Sequence, residues 1–215
     1  MDLAIIRVCS CTDEAVKEAH GKIIATRYGI KVRTYLIPDQ ALGIYDDASE
    51  RTAVPKIIAV AEQAQLDGAK AIFISCAIDP AVQECRQKLS IPVIGAGSAA
   101  AGTALGLGSR VGVLNLNGAL NPRITSLLGM RLRAQSKPQG VNNTTDLLTP
   151  EGKEAAISAA KELAEVSDVI MFGCTGFSTI GLAAVLRPLI NVPIVDAVEA
   201  SGGLAWQLLS GMQDK

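Results

Sequence analysis

Two stretches decide the fold: AIFISCAIDPAVQECRQKLSIPVIGAGSAA at residues 71–100 and VIMFGCTGFSTIGLAAVLRPLINVPIVDAVEAS at residues 169–201. Each runs from an apolar strand to a cysteine, then through a helical pattern to a short strand opening on proline, Pro92 in the first and Pro193 in the second. The cysteines, Cys76 and Cys174, occupy matching places. A repeat that alternates strand and helix implies two copies of one α/β unit.

The alternation extends outward in both directions. Apolar runs rich in branched residues at 3–8, 32–37, 71–75, 92–95, 111–116, 169–173 and 193–195 read as strands. Helical patterns at 13–28, 49–67, 80–89, 150–167 and 180–189 lie between most of them. Thr12-Asp13-Glu14 and Thr149-Pro150-Glu151 place a capping side chain ahead of acids or an N1 proline, where the helix dipole favours them. Gly29 and Gly68 suit left-handed helix ends. The expected architecture is α/β, with two pseudo-symmetric parallel-sheet halves. Residues 1–102 with a returning helix at 197–215 form one half, and residues 103–196 form the other, with 102–108 as the crossover. The ligand site is expected in the cleft between them, because open parallel sheets bind ligands beyond the carboxyl ends of their strands.

Composition agrees with this reading and removes several classes of function. Of 215 residues, 49% are hydrophobic and only 3% aromatic, which suits buried parallel strands under close-packed helices. The 20 basic and 21 acidic residues are spread along the chain without a basic stripe, so no nucleic-acid partner is expected. Residues 89–109 carry no formal charge and are long enough to span a bilayer. Their Gly, Ala and Ser around Pro92 supply little apolar area, so the expectation is a strand, a turn and a tightly packed helix, with no membrane partner. MDLAIIRVCSC lacks a basic leader region and reads as a first strand, which makes the cytoplasm the expected location. Helical surface rich in Ala and Gly would suit a homo-oligomer.

The five cysteines carry no secretion signal and read as reduced thiols. Zinc sites usually need CxxC pairs with further Cys or His, whereas the only close pair is Cys9-x-Cys11 and the only histidine is His20, so no metal is expected. Cys76 and Cys174 each follow a strand and precede a helix, where backbone N–H groups and the dipole favour a thiolate. Thr175-Gly176 permits a tight turn that aims N–H groups inward. Either thiol alone reads equally well as an inert small core residue; recurrence at matched positions favours function for both. Cys85, inside a helical pattern, is assigned to packing. Cys9 and Cys11 read as packing or site lining ahead of redox chemistry, and His20 as a partly exposed helix residue. Ser10, Thr12, Ser75, Asn115 and Asn117 end strands or begin the next turn and are candidate substrate donors or local caps.

The segments SCAIDPAV (75–82), IPVIGAGSAA (91–100), GCTGFSTI (173–180) and VPIVDAVEA (192–200) resemble the aspartate/glutamate racemase superfamily, and within it the hydantoin racemase branch. The resemblance implies a racemase without cofactor or metal, acting on a small-molecule substrate. Cys76 and Cys174 would be its acid and base on opposite faces of the α-carbon, and Thr175 a substrate-contacting position beside Gly176. Many amino-acid racemases have Asn-Thr after the first cysteine; here Ala77-Ile78 stands there, which points away from free glutamate or aspartate towards a 5-substituted hydantoin or another amino-acid derivative. Cys9-Ser10-Cys11-Thr12 also replaces the Asn-Pro-Asn-Thr-like turn of the hydantoin branch, and Ser98 replaces a glutamate. The alternatives within the superfamily are maleate-type cis–trans isomerisation through a nucleophilic cysteine and arylmalonate-type decarboxylation. A small-molecule or redox sensor of the same fold is the alternative outside catalysis.

Overall fold

The computed structural model describes residues 1–116 and 120–213. The first eight elements are β1 (Leu3–Arg7), α1 (Glu14–Tyr28), β2 (Val32–Leu36), α2 (Asp47–Leu66), β3 (Ala71–Ser75), α3 (Val82–Lys88), β4 (Val93–Gly95) and α4 (Ala96–Leu107). They are followed by β5 (Val111–Leu114), α5 (Pro122–Leu128), β6 (Leu132–Ser136), α6 (Pro150–Ala164), β7 (Val169–Phe172), α7 (Gly176–Thr179), α8 (Leu182–Leu186), β8 (Ile194–Val195) and α9 (Ala197–Gln213). Short 3-10 turns occupy Gly129–Arg131 and Asp146–Leu148.

Two four-stranded sheets result, ordered β2-β1-β3-β4 and β6-β5-β7-β8, and every strand pairing is parallel. The chain divides into two compact units, one of Met1–Ala96 with the chain from Val198 onward, the other of Gly97–Ala197. The two parallel-sheet halves expected from the repeat are therefore present, with the same strand order in each. Residues 102–108, expected as a crossover, are the later part of α4 and its end.

Side-chain alternation explains the layers. In the first unit Ala4, Ile6, Ile72 and Ile74 point to the face covered by α2 and α3, where Ala53, Ile57, Ala61, Val82 and Cys85 complete the core. Leu3, Ile5 and Phe73 are fully buried on the opposite face, over which α1 lies so closely that a Cβ on Gly21 would come 3.1 Å from Thr34 Oγ1. In the second unit Leu114, Ile170 and Phe172 meet Ala156, Ala160 and Leu163 of α6 and Leu186 of α8. Burial on both faces is why the central strands read as unbroken apolar runs. Helix α9 packs on α1 within the first unit: Tyr28 Oη donates to the Glu199 carbonyl at 2.8 Å, and a Cβ on Gly202 would strike the Tyr28 ring at 2.6 Å.

The repeat extends to the N-terminal ends of the central strands. Asp2, just before β1, pairs with Lys70, just before β3, at 2.9 Å. Arg110, just before β5, pairs with Asp168, just before β7, at 2.7 Å. The same two positions are joined in both units with the charges exchanged. Arg110 holds the Asp168 carboxyl below its ordinary value by hydrogen bonding. Both pairs are solvent-accessible, and pairs of that kind add little stability.

Strand β6 and helix α5 escaped the sequence reading. Strand β6 has only half-buried and exposed positions, so it shows no apolar run. Helix α5 is short but carries an Asn121 cap and Pro122 at its start. Ser167, buried beside β7, has the one buried side-chain oxygen without a hydrogen-bond partner among the described residues, and its hydroxyl fills the space left by the missing Cβ of Gly112. Ser167→Ala is expected to raise stability by about 1 kcal/mol in urea unfolding, because it removes a polar atom whose desolvation is uncompensated.

Candidate active site

In each sheet the strand order reverses between the two central strands, and the loops beyond their carboxyl ends diverge there to leave room for a ligand. The first such point lies between β1 and β3, the second between β5 and β7. Cys76 follows β3 directly, and Cys174 follows β7 after Gly173. Both thiols are half-buried and continue the side-chain row that faces the helices: Ile72, Ile74 and Cys76 in one unit, Ile170, Phe172 and Cys174 in the other.

The turns that follow differ. After Cys174 the backbone enters α7 at once, and Gly176 N donates to Cys174 Sγ at 3.3 Å. Glycine fits closely there: a Cβ on Gly176 would press on Leu147 Cδ1 at 3.0 Å, Thr144 Cγ2 at 3.2 Å and Cys174 Sγ at 3.3 Å. Thr175 is buried, and its carbonyl accepts from Ser178 N and Thr179 N. The helical pattern expected at 180–189 is realised as the short α8 (Leu182–Leu186), and Gly181, at φ +66°, separates it from α7 (Gly176–Thr179).

After Cys76 no helix begins at Pro80, contrary to the sequence expectation. Asp79 and Ala81 adopt φ of +54° and +58°, left-handed conformations that non-glycine residues rarely take, and α3 starts only at Val82. Cys76 N donates to the Ile74 carbonyl at 3.0 Å, and its own carbonyl accepts from Asp79 N at 3.0 Å. Ala77 is buried and Ile78 half-buried, so the two residues that follow this cysteine are both apolar. The Asp79 carboxylate lies 2.6 Å from where a Gly95 Cβ would stand, at the end of β4 and the start of α4. In the second unit Asp196, just before α9, accepts from Ser178 Oγ at 2.7 Å. In both units a buried acid therefore lies where the cysteine turn meets the end of the last short strand, supplied by the turn in one and by the residue after the strand in the other.

The remaining candidates divide between site and scaffold. Ser10 lies beyond β1, where its Oγ accepts from Gln40 N at 3.0 Å and its N donates to the Gln40 carbonyl at 3.1 Å, tying down the β2–α2 loop. Thr12 is exposed, and the cap of α1 is Asp13, which accepts from Ala15 N and Val16 N. Asn115 is buried beyond β5; its Oδ1 accepts from Leu116 N at 2.9 Å and borders Gly173, next to Cys174. Asn117 lies outside the described residues. The first sheet thus gathers Ser10, Cys76, Ala77 and Ile78 at its carboxyl edge, and the second gathers Asn115, Cys174, Thr175 and Gly176.

The other thiols and the histidine are sharply different. Burial pushes the Cys9 thiol up, with Arg7 opposing. Cys85 is fully buried, and burial with Glu84 and Glu62 nearby pushes it up to about 11. At about pH 8 its thiolate fraction is roughly 100-fold below that of an ordinary thiol, so iodoacetamide with mass mapping is expected to label Cys85 last. Because the folded value lies above the ordinary 9.0, this thiol's contribution to stability is complete below that value and is lost as pH rises through about 11. His20 is not partly exposed: it is fully buried, with Nδ1 2.7 Å from Ser75 Oγ. It shares the inward face of α1 with Ile24, four residues on, and that spacing is the signal in the sequence that marks it as buried. No group of three or more His, Cys, Asp or Glu able to hold a metal ion occurs among the described residues, and none of their helices is long and apolar enough to cross a membrane.

Comparison with known proteins places this arrangement. A hydantoin racemase of Rhizobium meliloti is 29% identical over 184 residues, covering 80% of this chain and 73% of its own. The crystal structure of an allantoin racemase from Pseudomonas fluorescens superposes with a TM-score of 0.79 at 20% identity, covering 99% of this chain and 92% of its own. A glutamate racemase from Bacillus anthracis does so with a TM-score of 0.74 at 14% identity, over 98% and 82% of the respective chains. At these identities the two structures establish the fold. The family model described as Asp/Glu/Hydantoin racemase matches residues 9–204, a span that holds both cysteine turns; the chain belongs to the Asp/Glu/Hydantoin racemase family and is an isomerase of the racemase class.

Proposed function

We propose that this protein racemises a small ring compound of the 5-substituted hydantoin class, with Cys76 and Cys174 as the two proton-transfer groups. The observation that carries the reading is the matched placement of one half-buried thiol at the switch point of each like-ordered sheet. One cysteine, as thiolate, takes the proton from the ring carbon next to the carbonyl. The electron pair passes into that carbonyl as an enolate, and the second cysteine, as thiol, returns a proton to the opposite face. The stereocentre is inverted, the two sulfurs have exchanged protonation states, and the reverse reaction starts from the product.

Backbone donors supply the electrostatics. The N–H of Gly176, seen donating to Cys174 Sγ, lowers the cost of a thiolate there. Ala77 and Ile78 leave the Cys76 side without the polar pair that would hold a free α-carboxylate and amine, which favours a less charged ring. The 29% identity to a hydantoin racemase and the likeness to allantoin racemase structures support the same substrate class.

The test is a screen in deuterated buffer. 5-Substituted hydantoins including allantoin, free aspartate and glutamate, and small dicarboxylates are each incubated with the protein, and loss of the α-proton signal is followed by NMR. Ring substrates are expected to exchange above their uncatalysed rate. Exchange confined to the free amino acids would overturn the substrate class, and a stable covalent adduct on either cysteine would overturn proton transfer in favour of addition.

A further inference from the structure

We propose that His20 is a positioning residue for Cys76, acting through Ser75. His20 lies on α1 with no exposed surface, and its Nδ1 is 2.7 Å from the hydroxyl oxygen of Ser75. Ser75 is the last residue of β3 and immediately precedes Cys76. Side chains alternate along a strand. Ile72, Ile74 and Cys76 face α2 and α3, whereas Ser75 faces α1. The histidine therefore holds, from the far side of the sheet, the residue whose neighbour carries the thiol.

A second tie runs beside the first. Ser75 pairs in register with Arg7 at the end of β1. Arg7 Nη1 donates to the carbonyls of Val16 at 2.6 Å and Lys17 at 3.2 Å in the first turn of α1. The early turns of α1 are thereby fastened to the carboxyl ends of both central strands, at the point where the strand order reverses. Gly21 lets the helix lie close enough for this, since a Cβ there would meet Thr34 Oγ1 at 3.1 Å and Val32 Cγ2 at 3.3 Å. The hydrogen bond forms with either tautomer, because the serine hydroxyl can donate to the ring nitrogen or accept from it. The second unit lacks the device: the residue before Cys174 is Gly173, which has no hydroxyl to hold. The two thiols thus stand on differently anchored backbones, and Cys174 serves as an internal control for Cys76.

The inference rests on the proposed reaction only for its consequence, not for its test, which is thiol alkylation in the whole protein. Iodoacetamide labelling of Cys76 and Cys174 is followed by mass mapping in wild type, His20→Leu, His20→Asn, Ser75→Ala and the double variant His20→Leu with Ser75→Ala. Loosening the strand end opens the half-buried thiol, so Cys76 is expected to label about fivefold faster or more in His20→Leu and Ser75→Ala, with Cys174 within about twofold of wild type. Asn places an amide atom near the position of Nδ1 and is expected to return Cys76 to within about twofold of wild type. The double variant should show no more than the larger single effect.

Equal changes at both thiols would mean a general loss of stability and would overturn the inference. So would an unchanged Cys76 in the single variants, or no rescue by Asn. If His20→Leu does not fold, Ser75→Ala decides on the same criteria. A selective response of Cys76 in a protein that exchanges no substrate proton would sink the proposed reaction and leave the tether standing; the converse would sink the tether alone.

Discussion

Serine in place of either Cys76 or Cys174 is expected to lower racemisation by about 10³-fold, within the range that loss of a positioned acid or base produces. The loss should be comparable for the two variants and for both directions of the reaction, because in the proposed reaction every turnover uses one sulfur as base and the other as acid. A serine hydroxyl ionises far above the thiol range and supplies almost no base at neutral pH. The change from sulfur to oxygen is also small, and both positions are half-buried. Unfolding midpoints near that of wild type are therefore expected, and circular dichroism melts beside chiral chromatography of the product would separate lost chemistry from lost fold. A variant retaining about a tenth or more of wild-type racemisation would remove that cysteine from the acid–base pair.

Gly152→Ala is expected to cost about 3 kcal/mol of stability, at the upper end of overpacking effects, because the atom in the way is backbone. Gly152 sits in the first turn of α6, where its N–H donates to the Thr149 cap at 3.0 Å. A Cβ there would enter the space of the Asp146 carbonyl oxygen, well inside contact distance. Asp146 cannot yield freely, because its carboxylate accepts from Asn142 N at 2.9 Å and from Asn143 N at 3.3 Å. The same segment presents Thr144 and Leu147 to Gly176, beside Cys174 Sγ. Displacing it should lower the midpoint of urea unfolding and also disturb the Cys174 turn, so activity should fall in the part of the population that stays folded. A melt like that of wild type would show that the loop relaxes without cost.

Much of this was legible because the repeat is written in residue types that leave few choices. Strand, cysteine, helix and a proline-led strand recur at 71–100 and 169–201, and β3, β4, β7 and β8 form within those stretches. Edge strand β6 was not legible, since Arg133 and Gln135 face solvent and its other positions are only half-buried. Its place could have been inferred from the repeat, as the counterpart of β2 beside β5.

The places of Cys76 and Cys174 beyond β3 and β7 were legible, and the structure around them was less so. The expected helix at Pro80 yields to a turn in which Asp79 and Ala81 are left-handed; aspartate tolerates that region better than most residues, but no local propensity of alanine announces it. The buried acids Asp79 and Asp196, and the histidine beneath Ser75, depend on which elements the folded chain brings together. Spacing along the sequence gives only the face of α1 on which His20 lies.

Hydrogen exchange at the reacting carbon tests the central claim, two thiols on opposite faces, most directly. Each enantiomer of an active substrate is incubated separately in deuterated buffer with wild type, Cys76→Ser and Cys174→Ser. Wild type should place deuterium in both enantiomers whichever one is supplied. Each variant should exchange only the enantiomer whose proton faces its remaining thiol, without inverting it, and the two variants should differ in which enantiomer that is. The claim would be contradicted if both variants exchanged the same enantiomer, or if either still converted one hand into the other at the wild-type rate.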